Sequence, residues 1–128
     1  MLSDTTIFVC TSCQRTGVAR PDDEARSGEL LHVALVAANP DHRIVAVSCM
    51  NNCLNGCTVA FGAPGKWAYV FGDIEPDTPI NELLAIADFH AQSADGQVPW
   101  GKRPEALKRK TVSRIPPMFA TAQTNDAA

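Results

Sequence analysis

No run of about 18 apolar residues, the length a membrane-spanning helix needs, occurs in this 128-residue chain. The start, Met1-Leu2-Ser3-Asp4, has neither the basic stretch nor the long hydrophobic segment of a secretory signal. Together these absences predict a cytoplasmic protein that does not engage membranes. Aromatic residues are scarce at 6%, and Trp100 is the one aromatic beside the basic residues near the C-terminus. Without a stacking array for bases, nucleic-acid binding is not expected. Nor does any Ser–His–Asp order, phosphate-binding glycine loop or pair of catalytic carboxylates stand out. Only three histidines are present, His32, His42 and His90, and none has a metal-ligand partner at useful spacing. Surface or helix-packing roles are expected for them.

What the chain does have is 45% apolar residues, enough for one domain with a real core, and five cysteines in two groups. An odd number cannot all pair internally, and clustered thiols in a reducing compartment more often bind metal or do redox chemistry. Charge is unevenly placed: residues 1–96 carry five Lys/Arg against twelve Asp/Glu, whereas residues 97–128 carry six against two. An acidic body with a basic arm follows.

Thr5-Thr6-Ile7-Phe8-Val9 is a short β-branched strand that ends at Cys10-Thr11-Ser12-Cys13. From about Glu24 to Ala38, Leu30, Leu31, Ala34, Leu35 and Ala38 recur at helical spacing, with Asn39-Pro40 as the stop. Gly28 weakens that helix by roughly 1 kcal/mol relative to Ala. Arg43 to Ser48 is a second strand, and Cys49, Cys53 and Cys57 leave its end. Thr58–Phe61 and Trp67–Phe71 form a hairpin across the Ala63-Pro64-Gly65-Lys66 turn, where Pro and Gly suit type II. Thr78 can cap a helix beginning at Pro79, with Ile80, Leu83, Leu84, Ala87 and Ala91 as its apolar face. The order β-α-β-β-β-α predicts an α/β thioredoxin-like sandwich, a four-stranded mixed sheet with two helices. Residues 1–96 would form this domain, and residues 97–128 a basic, proline-containing, partly irregular arm.

Four thiolates, two per iron, hold a 2Fe–2S cluster, and soft sulfur ligands also suit zinc. Cys10 with Cys13 supplies one pair and Cys49 with Cys53 a second. Cys57 can replace Cys13, stand beside the centre as a spare thiol, or fill an apolar gap. Val59, Phe61 and Trp67 are near enough in sequence to wall such a centre from water. Structural zinc is the bland alternative, although the 35 residues between Cys13 and Cys49 exceed the usual ribbon spacing of roughly 15–20. A thioredoxin-like dithiol is the other, weakened because about ten residues separate Cys13 from the expected helix start. Asp73, Glu75 and Asp77 could take a hard cation but read better as a solvated loop.

The run Ser48 to Cys57, followed by Thr58-Val59-Ala60-Phe61 and Pro64-Gly65-Lys66-Trp67, resembles the thioredoxin-like 2Fe–2S ferredoxins over residues 5–92. In that family one cysteine ends the first strand, another lies in the loop after it, and a C-x3-C pair follows a later strand. Here Cys10, Cys49 and Cys53 match. The first-loop spacing is shorter than usual, and Cys57 stands where proline is common. Cys-Thr-Ser-Cys, Ala-Pro-Gly-Lys-Trp, Phe-Gly-Asp and Asp95-Gly96-x-Val98-Pro99-Trp100 resemble, over residues 6–118, a bacterial family of small metal-binding proteins. That resemblance implies a neighbourhood of cobalamin-biosynthesis and cobalt-handling genes.

The sequence therefore leads to a ferredoxin-like 2Fe–2S protein in electron transfer, or an accessory to a metal or corrinoid pathway, rather than an enzyme. A zinc or other metal-binding protein without redox turnover and a thiol oxidoreductase are the alternatives. A redox or metal-pathway protein is the expected partner, steered by the basic arm, and a homodimer stays open.

Overall fold

Alternation of β-branched and apolar residues sends one side of each strand into a core and leaves the other side at the surface. In the computed structural model, which describes residues 3–12, 27–38, 40–51, 57–74 and 78–117, the first strand, β1 (Thr6–Cys10), buries Ile7 and Val9 on one face. Helix α1 (Ser27–Ala37) crosses to β2 (Arg43–Val47), which lies parallel to β1. Then β3 (Val59–Gly62) runs antiparallel to β1, and β4 (Ala68–Phe71) antiparallel to β3. Lys66 N–H donates to the Ala63 carbonyl (3.2 Å), and Gly65 sits at φ 71°, as the expected type II turn requires.

The four strands expected from sequence become five. Residues Thr111–Ile115 form β5, paired antiparallel to β4 with Ala68 opposite Ile115, and the sheet order is β2-β1-β3-β4-β5. Part of the segment expected to be irregular is thus an edge strand. Thr111 to Ile115 are exposed or half-buried, so the strand shows little of the apolar alternation that marks β1 and β4.

Helix α2 (Ile80–Gln92) begins after Pro79, not at it; Pro79 itself is the cap residue and makes no side-chain cap bond. Thr78 is buried beside this start. From α2, Leu83, Ile86 and Ala87 join Leu35 of α1 against Ile7, Val9, Val59, Phe61, Tyr69 and Phe71. Two helices over one sheet face is the predicted sandwich. The phase of α1 differs from expectation: Leu35 is buried and Leu31 packs on the core, while Leu30 is 60% exposed. Val33 and Val36 are exposed too, leaving α1 apolar around most of its circumference.

Candidate metal centre

β1 ends at Cys10, and ladder bonds on both flanks fix what lies beside it. On one side the parallel register sets Cys10 opposite Val47. The Thr11 amide (2.8 Å) and hydroxyl (3.2 Å) both donate to the Val47 carbonyl. Cys49 is two residues beyond. On the other side Cys10 N–H donates to the Thr58 carbonyl (3.1 Å), and Cys57 is the residue before. The topology therefore carries Cys10, Cys49 and Cys57 to one edge of the sheet. Cys13 and Cys53 lie outside the described residues, as do Glu75 and Asp77. Among the described residues no group of three or more His, Cys, Asp or Glu side chains is placed to hold a metal ion, so a four-thiol set has to include Cys13 or Cys53.

The three cysteines have different surroundings. Cys10 is fully buried, its Sγ 3.8 Å from Ser12 Oγ. Cys49 is exposed and accepts the Asn51 N–H at its sulfur (3.4 Å). Asn51 has φ 61°, the left-handed region that Asn tolerates better than most residues, and this turn aims its amide back at the sulfur. An N–H donor stabilises sulfur that carries negative charge. Cys57 is buried in the core, and its backbone pairs both ways with Ile74 (3.1 and 3.4 Å). This placement suits the gap-filling role weighed for it.

α1 also opens at this edge. A Cβ on Gly28 would fall 2.0 Å from the Cys10 carbonyl oxygen and 3.2 Å from Thr11 Cα, so only glycine lets the first turn approach so closely. About ten residues were expected between Cys13 and the helix start; Cys13 lies outside the described residues, and the contact observed is that of Gly28 in α1 with the Cys10 backbone.

The histidines lie elsewhere. His42 is buried between Ser3 Oγ, 2.6 Å from Nδ1, and Asp88 Oδ1, 2.7 Å from Nε2. A Ser–His–Asp chain thus exists in space although no such order is visible in sequence. Ser3 Oγ already accepts the Thr5 N–H (3.1 Å), Ser3 N–H donates to the Asp41 carbonyl (2.7 Å), and Asp88 is largely in water. This is a clamp on the start of β1, not an activated nucleophile. Fully buried His90 donates from Nε2 to the Trp67 carbonyl (2.6 Å), with Thr5 Oγ1 at Nδ1 (2.7 Å). Burial pushes its pKa down, the Trp67 bond opposes this, and the positive Lys66 adds to it. The neutral ring therefore accepts the Thr5 hydroxyl proton. His32 lies half-buried on α1. Asp73 reads as an ion-pair partner rather than a cation ligand, since Lys110 Nζ is 3.9 Å from its carboxylate.

A family model described as "Protein of unknown function (DUF1636)" matches residues 7–117. A thioredoxin-like 2Fe–2S ferredoxin from Aquifex aeolicus has a similar structure: 20% identity, 91% of this chain and 97% of that chain covered, TM-score 0.50. A crystal structure of the wild-type ferredoxin of this kind from the same organism gives 18% identity, coverage of 87% and 98%, and a TM-score of 0.49. No curated protein matches the chain. At such identity the likeness speaks for the fold. Among the described residues no helix is long and apolar enough to cross a membrane.

Proposed function

The chain belongs to the DUF1636 family, and from that premise we propose that it is a small ferredoxin-like 2Fe–2S protein that carries electrons or serves a metal pathway. The ligand set we propose is Cys10, Cys13, Cys49 and Cys53, with Cys57 in reserve. The observation that carries the reading is the register of β1. With Cys10 opposite Val47 and bonded to Thr58, the end of β1 lies beside the backbone that leads to Cys49 on one flank and from Cys57 on the other, which supports a shared centre. The Asn51 N–H on the Cys49 sulfur favours negative charge there. When bound, such a cluster supplies one-electron chemistry. The cysteines would ligate it and the Asn51 N–H would donate to the Cys49 sulfur, while buried Val59, opposite Val9, would help exclude water from the β3 side. A redox or metal-pathway protein in the cytoplasm is the proposed partner, with a corrinoid pathway as the setting the sequence resemblance implies.

Protein purified without oxygen is expected to be red-brown, with about two irons and two sulfides per chain, and to bleach with dithionite. A colourless, folded, zinc-loaded preparation rejects the proposal in favour of a metal site without redox turnover. Metal-free protein with one rapidly alkylated, low-pKa thiol rejects it in favour of a thiol oxidoreductase.

A further inference from the structure

The basic arm does not trail away from the cysteines. After β4 the backbone turns at Gly72 and Asp73, the latter at φ 53°, before Ile74 pairs with Cys57. Gly72 N–H donates to the Lys110 carbonyl (2.9 Å), and Lys110 Nζ donates back to the Asp73 carbonyl (2.6 Å). Lys110 is thus fastened to the turn whose next residue is bonded to Cys57. Arg103 brings the earlier part of the segment to the same side: its Nη1 donates to Thr111 Oγ1 (3.1 Å) and its Nε to the Val98 carbonyl (3.0 Å). The guanidinium also lies over the rings of Tyr69 and Trp100, at 5.3 and 5.9 Å.

We propose that this segment, centred on Lys102 and Arg109 with Trp100 beside them, is the docking face for an acidic protein that exchanges electrons with the cysteine edge. The proposal rests on the iron–sulfur reading for its purpose, but its geometry is independent of it. Residues 100–114 hold six lysines and arginines and a single acid, Glu105. Glu105 pairs with Lys108 (3.4 Å), and Asp73 takes Lys110. Lys102 and Arg109 are exposed and have no acidic partner among the described residues. Trp100 is 51% exposed at a bend held by Arg103, and a rigid aromatic flanked by cations is a common anchor at protein interfaces. The patch opposes the sign of the remaining chain, where acids outnumber bases twelve to five over residues 1–96. A long polyanion would meet that acidic body, whereas a partner with one compact acidic face would be steered to this edge.

Cytochrome b5, an acidic haem protein, and cytochrome c, a basic one, serve as probes. Anaerobically purified full-length protein is titrated with each by calorimetry at low ionic strength, and iron is counted on the same samples. Cytochrome b5 is expected to bind and cytochrome c not. The double variant Lys102→Glu/Arg109→Glu should weaken cytochrome b5 binding about ten-fold, and physiological salt should have a similar effect. Arg43→Glu, exposed at the far end of β2, should leave binding unchanged. Transfer of one electron from the dithionite-reduced centre to ferric haem of cytochrome b5 should slow in parallel with the weaker binding. Equal binding of both cytochromes, or no loss in the double variant of an iron-loaded protein, overturns the docking face and leaves the iron–sulfur reading intact. Tighter binding to a labelled single-stranded RNA, lost in the same variant, overturns it in favour of a nucleic-acid surface. Iron-free protein that still binds cytochrome b5 through these residues keeps the face and rejects the iron–sulfur reading.

Discussion

Where β1 begins, side chains clamp one another. Asp88, His42 and Ser3 form one hydrogen-bonded chain, and Thr5, His90 and the Trp67 carbonyl a second. Lys66 Nζ completes that end by donating to the carbonyls of His90 and Ala91 at the C-terminus of α2 (3.3 and 3.0 Å). Where β1 finishes, backbone bonds place the cysteines. Cys10 and Cys57 are held by ladder bonds, and Cys49 is exposed with one amide directed at its sulfur. The contrast teaches a division of labour. One end of the sheet is tied by long-range side-chain hydrogen bonds through His42 and His90; at the other, backbone bonds set the positions of Cys10 and Cys57.

That division can be broken in order of effect. Cys49→Ser should abolish the visible chromophore and bring iron per chain close to zero. Because the residue is exposed, the stability of the metal-free protein should change by no more than about 0.5 kcal/mol, read by denaturant unfolding. Loss of stability with retained iron would invert the assignment of the two ends. His90→Ala should do the opposite. It orphans the Trp67 carbonyl and Thr5 hydroxyl in the interior and opens a cavity, for about 3 kcal/mol, with iron content per folded chain unchanged.

Gly28→Ala couples the two ends' properties. Helix propensity alone favours alanine by about 1 kcal/mol, but a methyl 2.0 Å from a backbone carbonyl forces α1 off Cys10. The clash should win by about 2 kcal/mol net, with partial loss of iron, measured by thermal melts and metal analysis. Acid sharpens the comparison last. His90 has its folded pKa below the ordinary value of 6.5, so the unfolded chain binds its proton first as pH falls. Its contribution is complete above about pH 6.5 and declines from there through the folded pKa. Urea titrations across that window should show the decline, and it should vanish in His90→Gln.

Much of this architecture was legible in the chain. Ile7 and Val9, Val59 and Phe61, and Tyr69 and Phe71 point inward as their strands require, and Leu83 and Ala87 keep helical spacing on α2, where Ile86, outside the expected apolar face, is fully buried as well. The grouping of cysteines after β1 and β2 was equally plain, since strand ends are easy to locate. What escaped sequence reasoning depends on partners far apart in the chain. Thr5 meets His90 across 85 residues, and His42 meets Asp88 across 46. Local spacing carries no trace of such pairs. The contact of Gly28 with the Cys10 backbone, 18 residues away along the chain, is equally invisible to local spacing. β5 was missed for the reason that edge strands often are: with one flank in water, Thr111-Val112-Ser113-Arg114-Ile115 has no need of a strict apolar rhythm.

The fifth strand also bears on solubility. An outer β-strand offers unpaired amides and carbonyls along which copies of a protein can zip into ribbons. Here β5 runs straight into Pro116 and Pro117, which have no amide hydrogen to lend, and Arg114 lays its charge across the Trp67 ring at 4.5 Å. Without these residues β4 would become the rim and bare half-buried Ala68 and Val70. A chain cut after Lys110 is thus expected to precipitate rather than merely loosen.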